Sequence, residues 1–359
     1  MNTGQSKEKL EYILSLLFSI LASLLIGALI MVANGRNPIV GYGALLKGAF
    51  GSKYNIATTF AKTVPLVLTG LATAISFRSG IFNIGGEGQL YLGAFAAAYV
   101  GITFTSLPKG IGILLAIIAG GVVGGIYAYI PAILKVKYKI DEVITTIMLN
   151  TVAVFFTSYL VNYPFATTKG KMGGTEIIGE NYHLSKLVRL STLNTSIFFM
   201  GIIAIIIYYL MEKTSRGYDF KMVGQNSLFA RYGGIDDKKQ MIIAMVLSGG
   251  LCGIAGAFEV LGVHHRFLQN ISPGYAWDGM LAALIVKNNP IGVIIMSIFL
   301  GGLKTGSISM ENATSIPSEL VLVIQSIIIL FIAGEAGFKE KFKGLGRKKF
   351  KRQVGEKNA

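Results

Sequence analysis

Three side chains able to bind polar ligands, Asn83, Glu87 and Gln89, lie within the run FRSGIFNIGGEGQLYLG, residues 77–93, at the start of a long apolar stretch. Gly80, Gly85, Gly86 and Gly88 are interspersed with them. A charge buried in hydrocarbon costs about 2.5–3.5 kcal/mol for Asp, Lys or Arg on insertion scales. A carboxylate there is therefore kept for function or tied down locally. Two readings fit Glu87: a polar patch beside a translocation path, or a structural turn in which the carboxylate bonds backbone amides. The glycine density favours a broken or tightly packed helix in either case.

Two further acids lie deep in apolar sequence. Glu259 faces a pathway or pairs with a neighbour such as Arg266, two turns along one helix face. Asp278 follows Trp277 and the turn-forming Ser272, Pro273 and Gly274. An aromatic beside a carboxylate can stack a base or sugar and hydrogen-bond a hydroxyl. Trp is equally at home as an anchor at a membrane interface. The segment EKTSRGYDFKMVGQNSLFARYGGIDDKKQ, residues 212–240, is of another kind. Its centre predicts a short amphipathic helix from Gln225 to Tyr232, bounded by Gly224 and Gly233. Such a helix can dock in a partner's groove or be purely structural.

Other chemistry is missing. There is no G-x-x-x-x-G-K-[ST] run to cradle a nucleotide, no G-x-S-x-G elbow and no H-E-x-x-H pair. Leu247, Ser248, Gly249 and Gly250 imitate an ATPase signature but stand alone in apolar sequence. Cys252 is the one cysteine, so neither an intrachain disulfide nor a thiolate metal site can form. His264 and His265 are adjacent and on a regular helix point in different directions. No enzyme chemistry and no metal are expected.

These residues must be positioned by helices in a bilayer. Hydrophobic residues are 52% of the chain and charged ones only 14%, against about 25% charged in soluble proteins. A span needs about 20 apolar residues. Segments near 12–33, 56–77, 82–102, 110–134, 143–162, 193–211, 241–262, 276–288, 290–303 and 318–334 meet or approach that. The expected fold is an all-α transmembrane bundle of about ten spans. The segments 276–288 and 290–303 are short for full spans and read as half-helices or tilted helices lining a polar path. The first segment is longer than a signal-peptide core of about 7–15 residues and is read as a retained span.

About twice as many Lys and Arg fall on one side of this arrangement as on the other, which predicts both termini in the cytoplasm. Residues 1–11 then form a cytoplasmic N-terminus, 12–337 the membrane domain and 338–359 a basic cytoplasmic tail suited to an anionic lipid surface. The net charge of +15 sits largely in this tail and in loops. With no basic face carrying interleaved aromatics, nucleic-acid binding is not expected. Gly120, Gly121, Gly124 and Gly125, like Gly249, Gly250, Gly253 and Gly256, have the spacing of close helix packing.

Three stretches carry a resemblance: FRSGIFNIGGEGQ (77–89), TSRGYDFKMVGQNSLFARYGGI (214–235) and SPGYAWDGMLAALIVKNNPIG (272–292). They are similar to the membrane permeases of ABC importers for nucleosides, within the larger group serving ribose, simple sugars and branched-chain amino acids. The likeness runs from about residue 36 to 337. In the second stretch Gly217, Gly224, Asn226 and the Gly234–Ile235 pair stand in matching places. Phe220 and Lys221 depart, since a basic residue is common there, as does the region of Phe229 and Ala230, where an alanine pair is common. Trp277 replaces a frequent phenylalanine, and Val286 and Lys287 a small glycine-containing turn.

The resemblance implies a multi-pass protein of a bacterial cytoplasmic membrane. Its partners would be a cytoplasmic ABC ATPase, a second, related permease and an extracytoplasmic substrate-binding lipoprotein. ATP would bind the ATPase, leaving this chain without a cofactor. Gly217, Gly224, Gln225, Asn226, Arg231, Tyr232 and Gly234 would belong to the ATPase-coupling loop. Asn83, Glu87, Gln89, Glu259, Trp277 and Asp278 remain the pathway candidates. Open alternatives are a sugar permease of the same architecture, an ion-coupled transporter using Glu87, Glu259 or Asp278, and an intramembrane enzyme.

Overall fold

A computed structural model describes residues 20–167, 173–324, 326, 327 and 330. The start of the first expected span and the basic tail, including Lys339 to Lys357, lie outside the described residues. The described chain is helical: α1 (Ile20–Ala33), α2 (Pro38–Phe50), α3 (Lys53–Arg78), α4 (Gly86–Thr103), α5 (Lys109–Tyr138), α6 (Glu142–Asn162), α7 (Ser196–Lys213), α8 (Ser215–Gln225), α9 (Ser227–Tyr232), α10 (Asp237–Glu259, continued as a π-turn over Val260–His264), α11 (Tyr275–Ile285) and α12 (Pro290–Thr314). Among the described residues the only β pairings are isolated bridges, Gly174 with Leu268 and Lys186 with Asn194.

Among the described residues, six helices are long and apolar enough to cross a bilayer: α3, α5, α6, α7, α10 and α12. Their outward faces make sense only against hydrocarbon or other apolar helices. Phe155 and Phe156 on α6 and Ile202, Ile205 and Ile206 on α7 are all exposed, a display that a water-facing surface does not tolerate. The protein is a multi-pass membrane protein.

The chain divides into two compact units, one of residues Met1–Gly48 with Gly306–Ala359, the other Ala49–Thr305. In the first unit the Tyr42 hydroxyl donates to the Leu24 carbonyl at 2.6 Å, and Gly306 lies against the Leu45 backbone. The second unit is built around α3, which is buried along most of its length. The helices α4, α5 and α10 meet beside it on glycines. A Cβ on Gly253 of α10 would stand 2.1 Å from the Gly120 carbonyl oxygen, and one on Gly93 of α4 would stand 2.3 Å from the Gly253 Cα. This contact needs the absence of side chains, as the glycine spacing predicts; without a hydrophobic force inside lipid, such close approach is what holds helices together.

Several expected boundaries shift. The segment 290–303 is not a half-helix: α12 continues to Thr314, because the charge at Lys304, where the apolar pattern stops, is neutralised inside the bundle. α11, by contrast, is only 11 residues long, and the link to α12 turns through Lys287 and Asn288, both with positive φ. α2 occupies a stretch expected to be a connection.

α11 starts part-way along α3. The Thr69 hydroxyl donates to the Tyr275 carbonyl at 3.0 Å, nine residues before Arg78 at the end of α3, about 13 Å along the axis. Residues 265–274 therefore run irregularly into the bundle, as broken helices do where protein satisfies the backbone.

Candidate functional site

The site begins where α3 stops. Ser79 caps that helix, Gly80 turns the chain at φ +73, and residues 81–85 fold back to start α4 inside the protein. Asn83 organises this return. Its Oδ1 accepts from the Gly85 N–H and from Gln89 Nε2, both at 3.0 Å. Its Nδ2 donates to Gln89 Oε1 at 2.9 Å and to Ser248 Oγ at 2.8 Å. Asn150 of α6 closes the other side, accepting from the Gly88 N–H at 2.7 Å and donating to the Ile84 carbonyl at 2.8 Å. Asn83 and Gln89 are thus brought together, but as a mutually satisfied pair.

Glu87 lies one turn away, buried. Its Oε2 accepts the Ala276 N–H at 3.1 Å, and the Ser272 hydroxyl donates to the same carboxylate. Ser272 Oγ in turn accepts from the Gly274 and Tyr275 N–H groups at 3.2 and 3.1 Å. The first turn of α11 is therefore capped twice, and Glu87 places negative charge at a helix N-terminus, where the dipole favours it. The backbone amide that Glu87 accepts belongs to another helix, α11.

Asp278, in the same first turn, forms an ion pair with Lys304 of α12. Lys304 Nζ also approaches the Pro273 carbonyl at 3.4 Å and lies 5.5 Å from the centre of the Tyr275 ring. Lys62 of α3 donates to the Lys304 carbonyl at 3.3 Å. Tyr275 lies within electrostatic range of Glu87, Glu259 and Asp278 together, so the three deep acids surround one ring. Trp277 is 41% exposed and borders Asn83, Ser248 and Cys252. Glu259 does not pair with Arg266: its carboxylate faces His264 Nε2 at 3.7 Å, because the π-turn that follows rotates the chain before Arg266 is reached.

Sequence reasoning missed Lys304, assigned to a loop, and missed Ser248, Asn150, Ser272 and Tyr275. Ser272 carried a signal, since Ser-Pro-Gly before an apolar helix is a start pattern. The others carried none.

The second site is the 212–240 segment. The expected helix from Gln225 to Tyr232 is instead two helices broken at Asn226. The Thr214 hydroxyl caps α8 by accepting the Gly217 N–H at 3.2 Å, and the Asn226 side-chain Oδ1 caps α9 by accepting the Phe229 N–H at 2.9 Å. Asn is among the preferred N-cap residues, which is why the break falls there. Gly217 packs on the carbonyls of Leu210 and Met211, and Gly224 on that of Arg78, where a Cβ would stand 2.1 Å from the oxygen. Arg231 grips Asp237 with Nη2 at 2.8 and 3.0 Å and Nε at 3.1 Å. Gly234 turns the chain at φ +83. Gln225 borders a polar groove with Arg78, Glu212, Lys221 and Asn288. Leu228, Phe229 and Tyr232 of α9 face outward, Tyr232 being 85% exposed.

Among the described residues no group of three His, Cys, Asp or Glu side chains is placed to hold a metal. Neither site presents a nucleophile beside a general base. A multi-pass bundle with a broken-helix core has the architecture expected of a membrane permease.

The family model described as branched-chain amino acid transport system / permease component matches residues 55–333, and the chain belongs to this family. It is 35% identical over 329 residues to the guanosine ABC transporter permease protein NupP of Bacillus subtilis, covering 91% of this chain and 94% of that one. It is 34% identical to the nucleoside ABC transporter permease protein NupB of Lactococcus lactis, covering 90% and 92%. It is 31% identical to the glucose ABC transporter permease protein TsgB13 of Haloferax volcanii, covering 89% and 87%. No solved structure matches the chain.

Proposed function

We propose that this chain is the permease subunit of an ATP-driven importer that carries nucleosides across a bacterial cytoplasmic membrane. One observation carries the reading: identity of 35% and 34% to permeases named for guanosine and nucleosides, over nine-tenths of the chain. The same two organisms each hold a further, more distant relative named for the same transporter type, NupQ and NupC, at 24% identity. That supports a pair of related permeases in one complex. A cytoplasmic ABC ATPase and an extracytoplasmic binding lipoprotein complete the assembly. The bundle has about ten spans with both termini cytoplasmic, residues 1–11 and 338–359 flanking the membrane domain.

In this mechanism the binding protein delivers substrate to the outer face. ATP closes the partner's two nucleotide sites, and the exposed side of α9, held by Arg231 and Asp237, carries that motion to α8 and α10. Gly224 against Arg78 ties α8 to the end of α3, so the motion reaches the broken-helix core at Asn83, Glu87 and Asp278. No cofactor binds this chain; ATP binds the ATPase.

The test is uptake of labelled guanosine in cells lacking the gene, against the same cells complemented with it, with excess ribose as competitor. Loss, recovery on complementation and indifference to ribose support the reading. Unchanged nucleoside uptake, in a strain without a redundant carrier, rejects it and favours the sugar reading, for which the Haloferax relative speaks.

A further inference from the structure

Between α3, α4, α10 and α11 lies a small, partly enclosed pocket of about 10 Å³, room for a single water. Its wall includes Thr73, Asn83, Ser248, Cys252, Trp277 and Met280, and no carboxylate, ammonium or guanidinium group lines it. The acids next to it in sequence are committed elsewhere, Glu87 to the start of α11 and Asp278 to Lys304. Asn83 is fully occupied, but two hydroxyls are not. Ser248 Oγ accepts from Asn83 and keeps its own hydrogen to give. The Thr73 hydroxyl donates to the Thr69 carbonyl at 3.1 Å and keeps its lone pairs to accept. The pocket thus offers one donor and one acceptor beside an indole that is 41% exposed.

We propose that this pocket is a substrate subsite for an uncharged, hydroxyl-bearing aromatic solute, a nucleoside and not its phosphate. Trp277 is its movable wall and stacks on the base, while Ser248 and Thr73 bond sugar hydroxyls. The inference rests on the nucleoside reading above and sharpens it. A sugar hydroxyl both gives and takes a hydrogen bond, matching the two free functions. A phosphate would enter a wall with no cation to pair with, which is costly. The structure is the closed state, since a nucleoside enters only when Trp277 and the first turn of α11 move outward.

Cys252, fully buried on this wall, is the sole cysteine of the chain and reports the opening. The experiment uses membranes holding the complete importer and its binding protein, with N-ethylmaleimide as probe and the labelled peptide of this chain as readout. Cys252→Ser supplies the background. Labelling is expected to be slow without ATP and about ten-fold faster during ATP turnover or in Trp277→Ala. A nucleoside slows this labelling of the unmodified chain during ATP turnover, and its 5′-monophosphate does not. Ser248→Ala and Thr73→Val each raise the KM for nucleoside uptake about ten-fold, the scale of one lost hydrogen bond. Labelling indifferent to nucleoside, equal protection by the monophosphate, or an unchanged KM in both hydroxyl variants overturns the subsite while nucleoside uptake by the unmodified importer still stands. An unmodified importer that takes up no nucleoside overturns the functional reading, and the subsite with it.

Discussion

The Glu87 carboxylate accepts the backbone N–H of Ala276 at 3.1 Å across 189 residues of sequence. Two helices that begin inside the protein are joined at their starts by this bond. α4 follows the glycine-rich return, and α11 follows the descent from Gly274. The acid that sequence marks as out of place is therefore the fastener of the broken-helix core.

Replacing it separates charge from size. Glu87→Ala removes the anion and leaves the Ala276 N–H buried without an acceptor, a loss of about 1–3 kcal/mol. Glu87→Gln keeps an acceptor oxygen and loses less. Thermal unfolding of the detergent-purified complex is expected to rank wild type above Gln above Ala, with uptake following the same order. An alanine variant as stable and active as the wild type would contradict this role.

Asp278 and Lys304 form a buried pair, with side-chain exposures of 10% and 15%. Removing one partner strands the other charge at a cost of about 3–5 kcal/mol, whereas removing both is often nearly neutral. Asp278→Asn and Lys304→Met are each expected to lower the amount of assembled protein sharply, and the double variant to recover most of it. A double variant no better than the worse single one would show that the two groups act separately.

This pair also shows where sequence reading stops. The apolar periodicity and glycine spacing made the helices and many of their tight contacts legible, since Gly120 and Gly253 advertise close approach on their own. Asn83, Glu87 and Asp278 were visible because polarity in an apolar span is expensive. Their partners were not. Ala276 contributes a backbone N–H that no side chain announces, and Lys304 resembles a loop residue until a helix 26 positions away supplies its counter-ion. Glu259 drew the wrong partner because the π-turn changes the direction of everything after it.

The segment 212–240, proposed to contact the ATPase, yields a different kind of prediction. Asn226→Ala removes the cap of a helix only six residues long, a loss of about 1 kcal/mol, enough to fray α9 without unfolding the bundle. Phe229→Ser and Tyr232→Ser alter only exposed side chains. All three variants are expected to reach the membrane in normal amounts yet co-purify less of the ATPase and lose substrate-stimulated hydrolysis. Full stimulation in Asn226→Ala and in the two serine variants would remove α9 from the coupling path.

The last prediction concerns acid. His265 follows the π-turn, outside the apolar span, and stacks on His183 with ring centroids 3.9 Å apart. Burial first, then the neighbouring His183 and Lys186, push the His265 pKa down from 6.5 to about 4. A folded-state pKa below the unfolded one means that the folded loop disfavours the proton. The stabilisation is complete above about 6.5 and disappears as pH falls through about 4. Residues 173–195 are tied here by main-chain bonds, Ile178 N–H to the His265 carbonyl at 2.9 Å and Thr175 N–H to the Phe267 carbonyl at 3.0 Å. Hydrogen exchange at Ile178 and Thr175, corrected for the intrinsic effect of pH, is expected to accelerate between pH 6.5 and 4. His265→Gln, which cannot take up the proton, is expected to flatten that response. Equal acceleration in the glutamine variant would assign the acid sensitivity to another group.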